Sequence, residues 1–194
     1  MHITWHGFQC VKLQTEKSLI LINPFQDSQG ITMPKLKVDI VLSTNLADEQ
    51  SNNLKRLQGA PKEISMPGEY EISGVFIYGL NYVANQNFYI ITVDGMTIAH
   101  PGKSLASLTD EQLDLVKDID ILFLPIANSN AKQRSEFISE LQPRLIIPIQ
   151  YKLDGLEEFA KEMGVKDVQG EKKVIIKPKD LPQEETQVII LQVS

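Results

Sequence analysis

The chain has 194 residues, of which 42% are hydrophobic and 23% charged, the size and composition of one folded domain. A formal net charge of -6 argues against a nucleic-acid polyanion as the main partner. A single cysteine, Cys10, excludes an internal disulfide framework.

That cysteine lies in the apolar run Phe8-Gln9-Cys10-Val11 and reads as a buried structural thiol. The amino terminus, MHITWHG, has no charged segment followed by an apolar one, so no secretory signal is visible. No apolar run approaches the roughly 20 residues needed to span a bilayer. A reducing, cytoplasmic setting is the expectation.

In chain order, His2 to Trp5, Phe8 to Leu13 and Ser18 to Ile22 read as short strands, divided by Gly7 and by Thr15-Glu16-Lys17. A polar loop containing Gly and Pro leads to Val38-Asp39-Ile40-Val41-Leu42, a buried strand that breaks into a polar loop over 43–53. Asp48 to Leu57 has the spacing of a short amphipathic helix, opposed by Asn52 and Asn53. Met66 to Tyr70 turns into a strand, and Val75 to Tyr78, Phe88 to Val93 and Thr97 to Ala99 continue the strand pattern. Asp94-Gly95 is the strongest short hairpin signal.

After His100 the period changes. Thr109 to Gln112 is a capping-box pattern opening a helix, with Leu113 and Val116 on its buried face. Asp120 to Ile126 and Leu145 to Ile149 read as buried strands. Between them Lys132 to Leu141 reads as a helix with Phe137, Ile138 and Leu141 inward, stopped by Pro143. Gly155 to Met163 is a further helix closed by Gly164, and Val174 to Ile176 and Val188 to Val193 are closing strands. No repeat or linker divides the chain, so residues 1–194 read as one domain. Strands followed by alternating strands and helices fit two sheets packed face to face with helices outside, and leave other α/β arrangements open.

Several motifs in this order resemble the metallo-β-lactamase superfamily, and within it the small branch of zinc-dependent hydrolases. The strand and loop from Lys37 to Asn53 is similar to a DxVLVTH strand running into H-x-H-x-D-H. Thr4-Trp5-His6-Gly7-Phe8 resembles a TWLGHA-like turn, and Leu21-Ile22-Asn23-Pro24-Phe25 resembles LIDPF. Pro67 to Ile77 is close to PGEYEVGGVFI. Asp94 to Lys103, followed by Thr109-Asp110-Glu111-Gln112-Leu113, resembles DGLRICHLGD and a TDEQL helix. Ile147-Pro148-Ile149-Gln150-Tyr151-Lys152 resembles IPMHYK. The resemblance runs from residue 4 to about residue 165 and implies a four-layer αββα sandwich, two mixed sheets with helices outside.

At the positions that carry the family's chemistry the residues differ. Asn45, Ala47, Glu49 and Gln50 stand where the pattern has His, His, Asp and His, Lys103 where it has the bridging Asp, and Gln150 where it has the last His. Phe8 and Asn23 replace a His and an Asp, and the stretch from Tyr78 to Asn87 contains no histidine to supply the remaining one. A two-metal site needs imidazole and carboxylate lone pairs around a metal-bound water. The ammonium of Lys103 offers three donors and no acceptor, and it repels a divalent cation.

The resemblance with these departures implies a catalytically inactive, metal-free protein with a binding or scaffold role and no cofactor. Asn45, Glu49, Gln50, His100, Lys103 and Gln150 form the candidate pocket for a small polar or anionic ligand, and Lys103 is expected to approach Glu49. The partner would be a small molecule or a protein, neither nucleic acid nor membrane, and the family resemblance makes a homo-oligomer plausible. The alternative is a metal-dependent hydrolase of phosphodiester, lactone or amide bonds, using zinc at a relocated site built from His6, His100 and Glu49. A nucleophile-base pairing of Ser43, Thr44 or Ser104 with His100 lacks a G-x-S-x-G turn or oxyanion glycines to support it.

Overall fold

The computed structural model describes every residue except Ala84, and Leu153 by its backbone alone. The strands are β1 (His2–Gly7), β2 (Cys10–Gln14), β3 (Leu19–Ile22), β4 (Leu36–Lys37), β5 (Ile40–Leu42), β6 (Leu57–Gln58), β7 (Lys62–Ile64) and β8 (Gly68–Ile72). They continue as β9 (Val75–Val83), β10 (Gln86–Val93), β11 (Met96–His100), β12 (Ile121–Pro125), β13 (Leu145–Ile149), β14 (Val174–Ile175) and β15 (Gln187–Val188). The α-helices among the described residues are α1 (Asp110–Leu115), α2 (Ala131–Leu141) and α3 (Leu153–Glu162).

One sheet has the order β14-β1-β2-β3-β5-β7 and the other β15-β13-β12-β11-β10-β9-β8, while β4 and β6 pair by themselves. Both large sheets are mixed. In the first, β14 to β3 run antiparallel and β3, β5 and β7 parallel. In the second, β15, β13, β12 and β11 are parallel and the hairpins β8-β9 and β10-β11 antiparallel.

Alternation along the strands explains the layers. Ile20 and Ile22 of β3 and Ile121 and Phe123 of β12 meet in one core between the sheets. Leu122 and Leu124, their neighbours on β12, face the other way into a second core with Phe137 of α2 and Phe159 of α3. Continuously apolar strands such as Ile121–Pro125 are therefore apolar because both faces are covered. Over the outer face of the first sheet, Cys10 and Leu21 pack against Phe25, Met33 and Val38. There the covering layer is the loop from 23 to 39, whereas helices cover the second sheet.

Local signals hold at the hairpin and at the helix starts. Asp94 and Gly95 both have positive φ, 51° and 73°, and join Val93 to Met96 as a two-residue hairpin turn. Thr109 and Asn130 close capping boxes with Gln112 and Gln133. α2 ends in left-handed Gln142, one residue before Pro143.

Two expectations change. The segment 48–57 is not an amphipathic helix: among the described residues only Leu54–Arg56 forms a 3-10 turn. The neighbouring loop takes its polar groups instead. Gln26 N–H donates to Glu49 O, Asn53 N–H to Pro24 O and the Asn53 side chain to Phe25 O. The final segment pairs as a strand only at Gln187–Val188. Beyond it, single bonds from Ile189 to Ile146 and from Ser194 to Trp5 hold the chain across the sandwich edge.

Candidate functional site

The carboxyl ends of β5, β11 and β13 and the β1-β2 turn meet at one end of the sandwich, and each contributes to a cavity of about 690 Å³. From the β1-β2 turn comes Phe8, from the loop after β5 Gln50, from the loop after β11 Lys103, and from the end of β13 Gln150. A smaller neighbouring cavity of about 390 Å³ is lined by Asn45, Asp48 and Glu49, with Gln50 in the wall between the two.

The candidate residues thus divide. Gln50, Lys103 and Gln150 share the larger cavity, whereas Asn45 and Glu49 face the smaller one. Asn45 Oδ1 accepts from the Ala47 N–H at 2.9 Å and serves its own turn. Lys103 Nζ lies 3.0 Å from Asp48 Oδ2, so the expected approach to Glu49 is replaced by one to its neighbour. Turn geometry decides this: Asp48 Oδ1 accepts from the Gln50 N–H at 2.9 Å, which holds the Asp48 carboxylate inward and leaves Glu49 exposed.

His100 lines neither cavity. It is fully buried, its Nε2 3.0 Å from Gln9 O and its Nδ1 3.2 Å from the Gly102 N–H. A backbone N–H can only donate, so Nδ1 is the acceptor and Nε2 carries the proton. Burial, outweighing the bond to Gln9 O, pushes its pKa down to about 4. It is a neutral imidazole with both nitrogens engaged.

His6 is buried. Its Nδ1 lies 3.0 Å from Ser194 O, and its Nε2 is enclosed without a partner. Burial also lowers its pKa. His6, His100 and Glu49 do not converge. Among the described residues no three His, Cys, Asp or Glu side chains are grouped to hold a metal ion. The relocated site fails because the imidazoles are bound to distant backbone carbonyls, His6 to Ser194 O and His100 to Gln9 O, and Glu49 is exposed.

Sequence reasoning missed the residues that hold these loops in place. Gln9, 1% exposed, donates from Nε2 to Gln50 Oε1 at 2.9 Å, while its carbonyl receives His100. Gln86 donates to Pro101 O at 2.6 Å and accepts from the Lys103 N–H at 3.2 Å, fixing the loop that carries the lysine. Asn23, left-handed at φ 52°, exchanges bonds of 2.8 and 2.9 Å with Thr44. Arg134, 5% exposed, makes a two-pronged pair with Glu162 of α3 and donates to Ser129 O. A single Gln or Asn at a turn or a strand end, as Gln9, Gln86 and Asn23 are, has no pattern that reveals burial. Arg134, on the inward face of an amphipathic helix, was the one legible irregularity.

Two mixed sheets packed face to face, with helices over the second and a loop over the first, and a site at their strand ends define the α/β sandwich of the metallo-β-lactamase fold. The model of the β-lactamase superfamily domain matches residues 2–150, and the chain belongs to that family. It is 27% identical to a protein of Lysinibacillus sphaericus named as a metal-dependent hydrolase, over 78% of this chain and 85% of that one. A Thermotoga maritima protein described as a Zn-dependent hydrolase of the metallo-β-lactamase superfamily superposes with a TM-score of 0.81 and 24% identity, covering 99% of this chain and 100% of that one. A metallo hydrolase of Ignicoccus hospitalis does so with a TM-score of 0.64 and 15% identity, covering 91% and 99%. Among the described residues no helix is long and apolar enough to cross a membrane.

The family's metals ask for a cluster of lone pairs, and the donor set does not fit them. Lys103 brings a cation and spends the Asp48 carboxylate on itself, Gln50 Oε1 is taken by Gln9, and the imidazoles are turned away.

Proposed function

We propose that this chain is a catalytically inactive, metal-free member of the superfamily, acting in the cytosol as a binding or scaffold protein through the pocket at its strand ends. One observation carries the reading. The Lys103 ammonium lies 3.0 Å from Asp48 at the position the family pattern gives to a bridging carboxylate. A fixed positive charge occupies the ground of the metals, and the loops are tied by an ion pair and amide bonds in their place. The ligand of such a pocket is a small polar or anionic molecule.

The relatives' name, metal-dependent hydrolase, supports the rival reading of a zinc-dependent activity. The two part on metal uptake. Purified protein exposed to excess zinc and manganese and then desalted is expected to retain less than about a tenth of an equivalent by elemental analysis, since no ligand set offsets the loss of metal hydration. Stoichiometric retention, lost when His6 or His100 is replaced, would overturn the proposal in favour of the hydrolase.

A further inference from the structure

The larger cavity is lined by Gln50, Lys103 and Gln150, and each presents the same kind of group to it. Gln50 Oε1 is occupied by Gln9 Nε2, which leaves the Gln50 amide NH₂ as its free end. Gln150, 8% exposed and held in the left-handed conformation at φ 53°, has its Oε1 enclosed in protein without a partner, so Nε2 is the end that meets the cavity. Lys103 spends one ammonium hydrogen on Asp48 and keeps two. Of the side-chain oxygens these three residues carry, one is consumed and one is turned away, and what they offer the cavity is N–H. The exposed amides of Gln29 and Asn128 line it as well.

Gln150 sharpens the point. A left-handed non-glycine backbone and a buried orphan oxygen are both unfavourable, and Gln150 combines the two at the cavity. Its backbone is fixed by the N–H of Gln150 donating to Phe8 O at 2.8 Å, and Phe8 is itself left-handed at φ 48°. The exposed Lys152 and Asp154 offset each other and the other polar lining side chains are neutral amides and a tyrosine hydroxyl, so the net charge of the lining is that of Lys103. Phe8, Ile31 and Val193 make an apolar wall.

Resting on the non-catalytic reading of this pocket, we infer that it binds an organic oxyanion, a carboxylate or phosphate on an apolar or aromatic body. Its oxygens accept from Gln50 Nε2, Gln150 Nε2 and Lys103 Nζ, and its body lies against Phe8. The site that in the family pattern offers acceptors to cations has become a donor site for anions.

Calorimetric titration of the full chain with phenyl phosphate, benzoate, inorganic phosphate and benzyl alcohol tests this. Phenyl phosphate or benzoate is expected to bind, whichever is tighter naming the anion source, with inorganic phosphate weaker and benzyl alcohol at least tenfold weaker. Gln50→Glu and Gln150→Glu keep size and shape while replacing a donor by a carboxylate. Each is expected to weaken the anion at least tenfold, Gln50→Glu with the melting temperature held, whereas Gln58→Glu, outside the cavity, leaves it within twofold. Binding of benzyl alcohol as tight as the anions, anion affinity indifferent to both cavity variants, or no anion binding at all would overturn the inference. Phenol release from diphenyl phosphate, assayed in the same protein preparations with and without added zinc, keeps the two readings apart. Zinc-dependent release counts against the non-catalytic reading alone, and absent binding without release counts against the anion site alone.

Discussion

His100 shows how much a single position depends on what surrounds it. Its fully buried imidazole accepts from the Gly102 N–H and donates to Gln9 O, and a backbone N–H at Nδ1 leaves room only for the neutral form. The pKa falls from 6.5 to about 4 on folding. Between those values the unfolded chain binds the proton and the folded one does not, so stability is complete above the unfolded pKa and drains away as pH falls through the window. The whole shift corresponds to about 3 kcal/mol. Urea denaturation from pH 7 to pH 4 is expected to show that decline, with His6 adding in the same direction. In His100→Gln the decline should be shallower by the greater part of that amount. An unchanged pH slope in the variant would refute the assignment of His100 as a neutral, doubly engaged imidazole.

Among the elements, the loop that follows β11 is the one on which the pocket turns. Gly102 has φ +83°, and a Cβ there would come within 2.9 Å of Gln86 Cδ and 3.0 Å of Thr44 Oγ1. The left-handed backbone and the close approach together cost about 2 kcal/mol in Gly102→Ala. The variant should also displace Lys103, whose N–H rests on the same Gln86. Denaturation midpoint and anion affinity are expected to fall together, and a fall in stability alone would show that Lys103 is placed by something other than this loop. Opposite it, Arg134 ties α2 to Glu162 of α3 and to the carbonyl of Ser129, just beyond the cavity-lining Ala127 and Asn128. Glycine in a PGEYEV-like or DGLRICHLGD-like motif is visible in sequence. That Gly102 is hemmed in by Gln86 and Thr44, sixteen and fifty-eight positions away, is not.

Across the whole molecule, the two sheets are joined by more than apolar contact. Tyr89 of β10 is fully buried between them, and its hydroxyl lies 3.2 Å from Ser43 O and 3.3 Å from Ile64 O at the carboxyl ends of β5 and β7. Burial pushes its pKa above the usual phenol value, so it stays a neutral hydroxyl. Tyr89→Phe keeps the ring and removes the bond, at an expected cost of about 1–2 kcal/mol by thermal or urea denaturation. A neutral effect would mean that packing alone sets how the sheets meet at the pocket end.

The sequence by itself determined most of the longer strands, the helices after His100 and the Asp94-Gly95 hairpin, because alternation, caps and turn residues are local properties written over a few positions. Its motifs pointed to the family. The short pairings of Leu36–Lys37 and Leu57–Gln58 and the end of the closing segment were not legible. It also showed which family ligands are replaced, since a motif can be read position by position. The tertiary structure decided what the replacements do. Whether Lys103 meets Asp48 or Glu49 depends on a turn in one loop facing a turn in another. Whether an amide presents its oxygen or its nitrogen to a cavity depends on partners such as Gln9, forty-one residues from Gln50. Donor and acceptor geometry between distant loops has no period along the chain, so it exists only once the two sheets have closed.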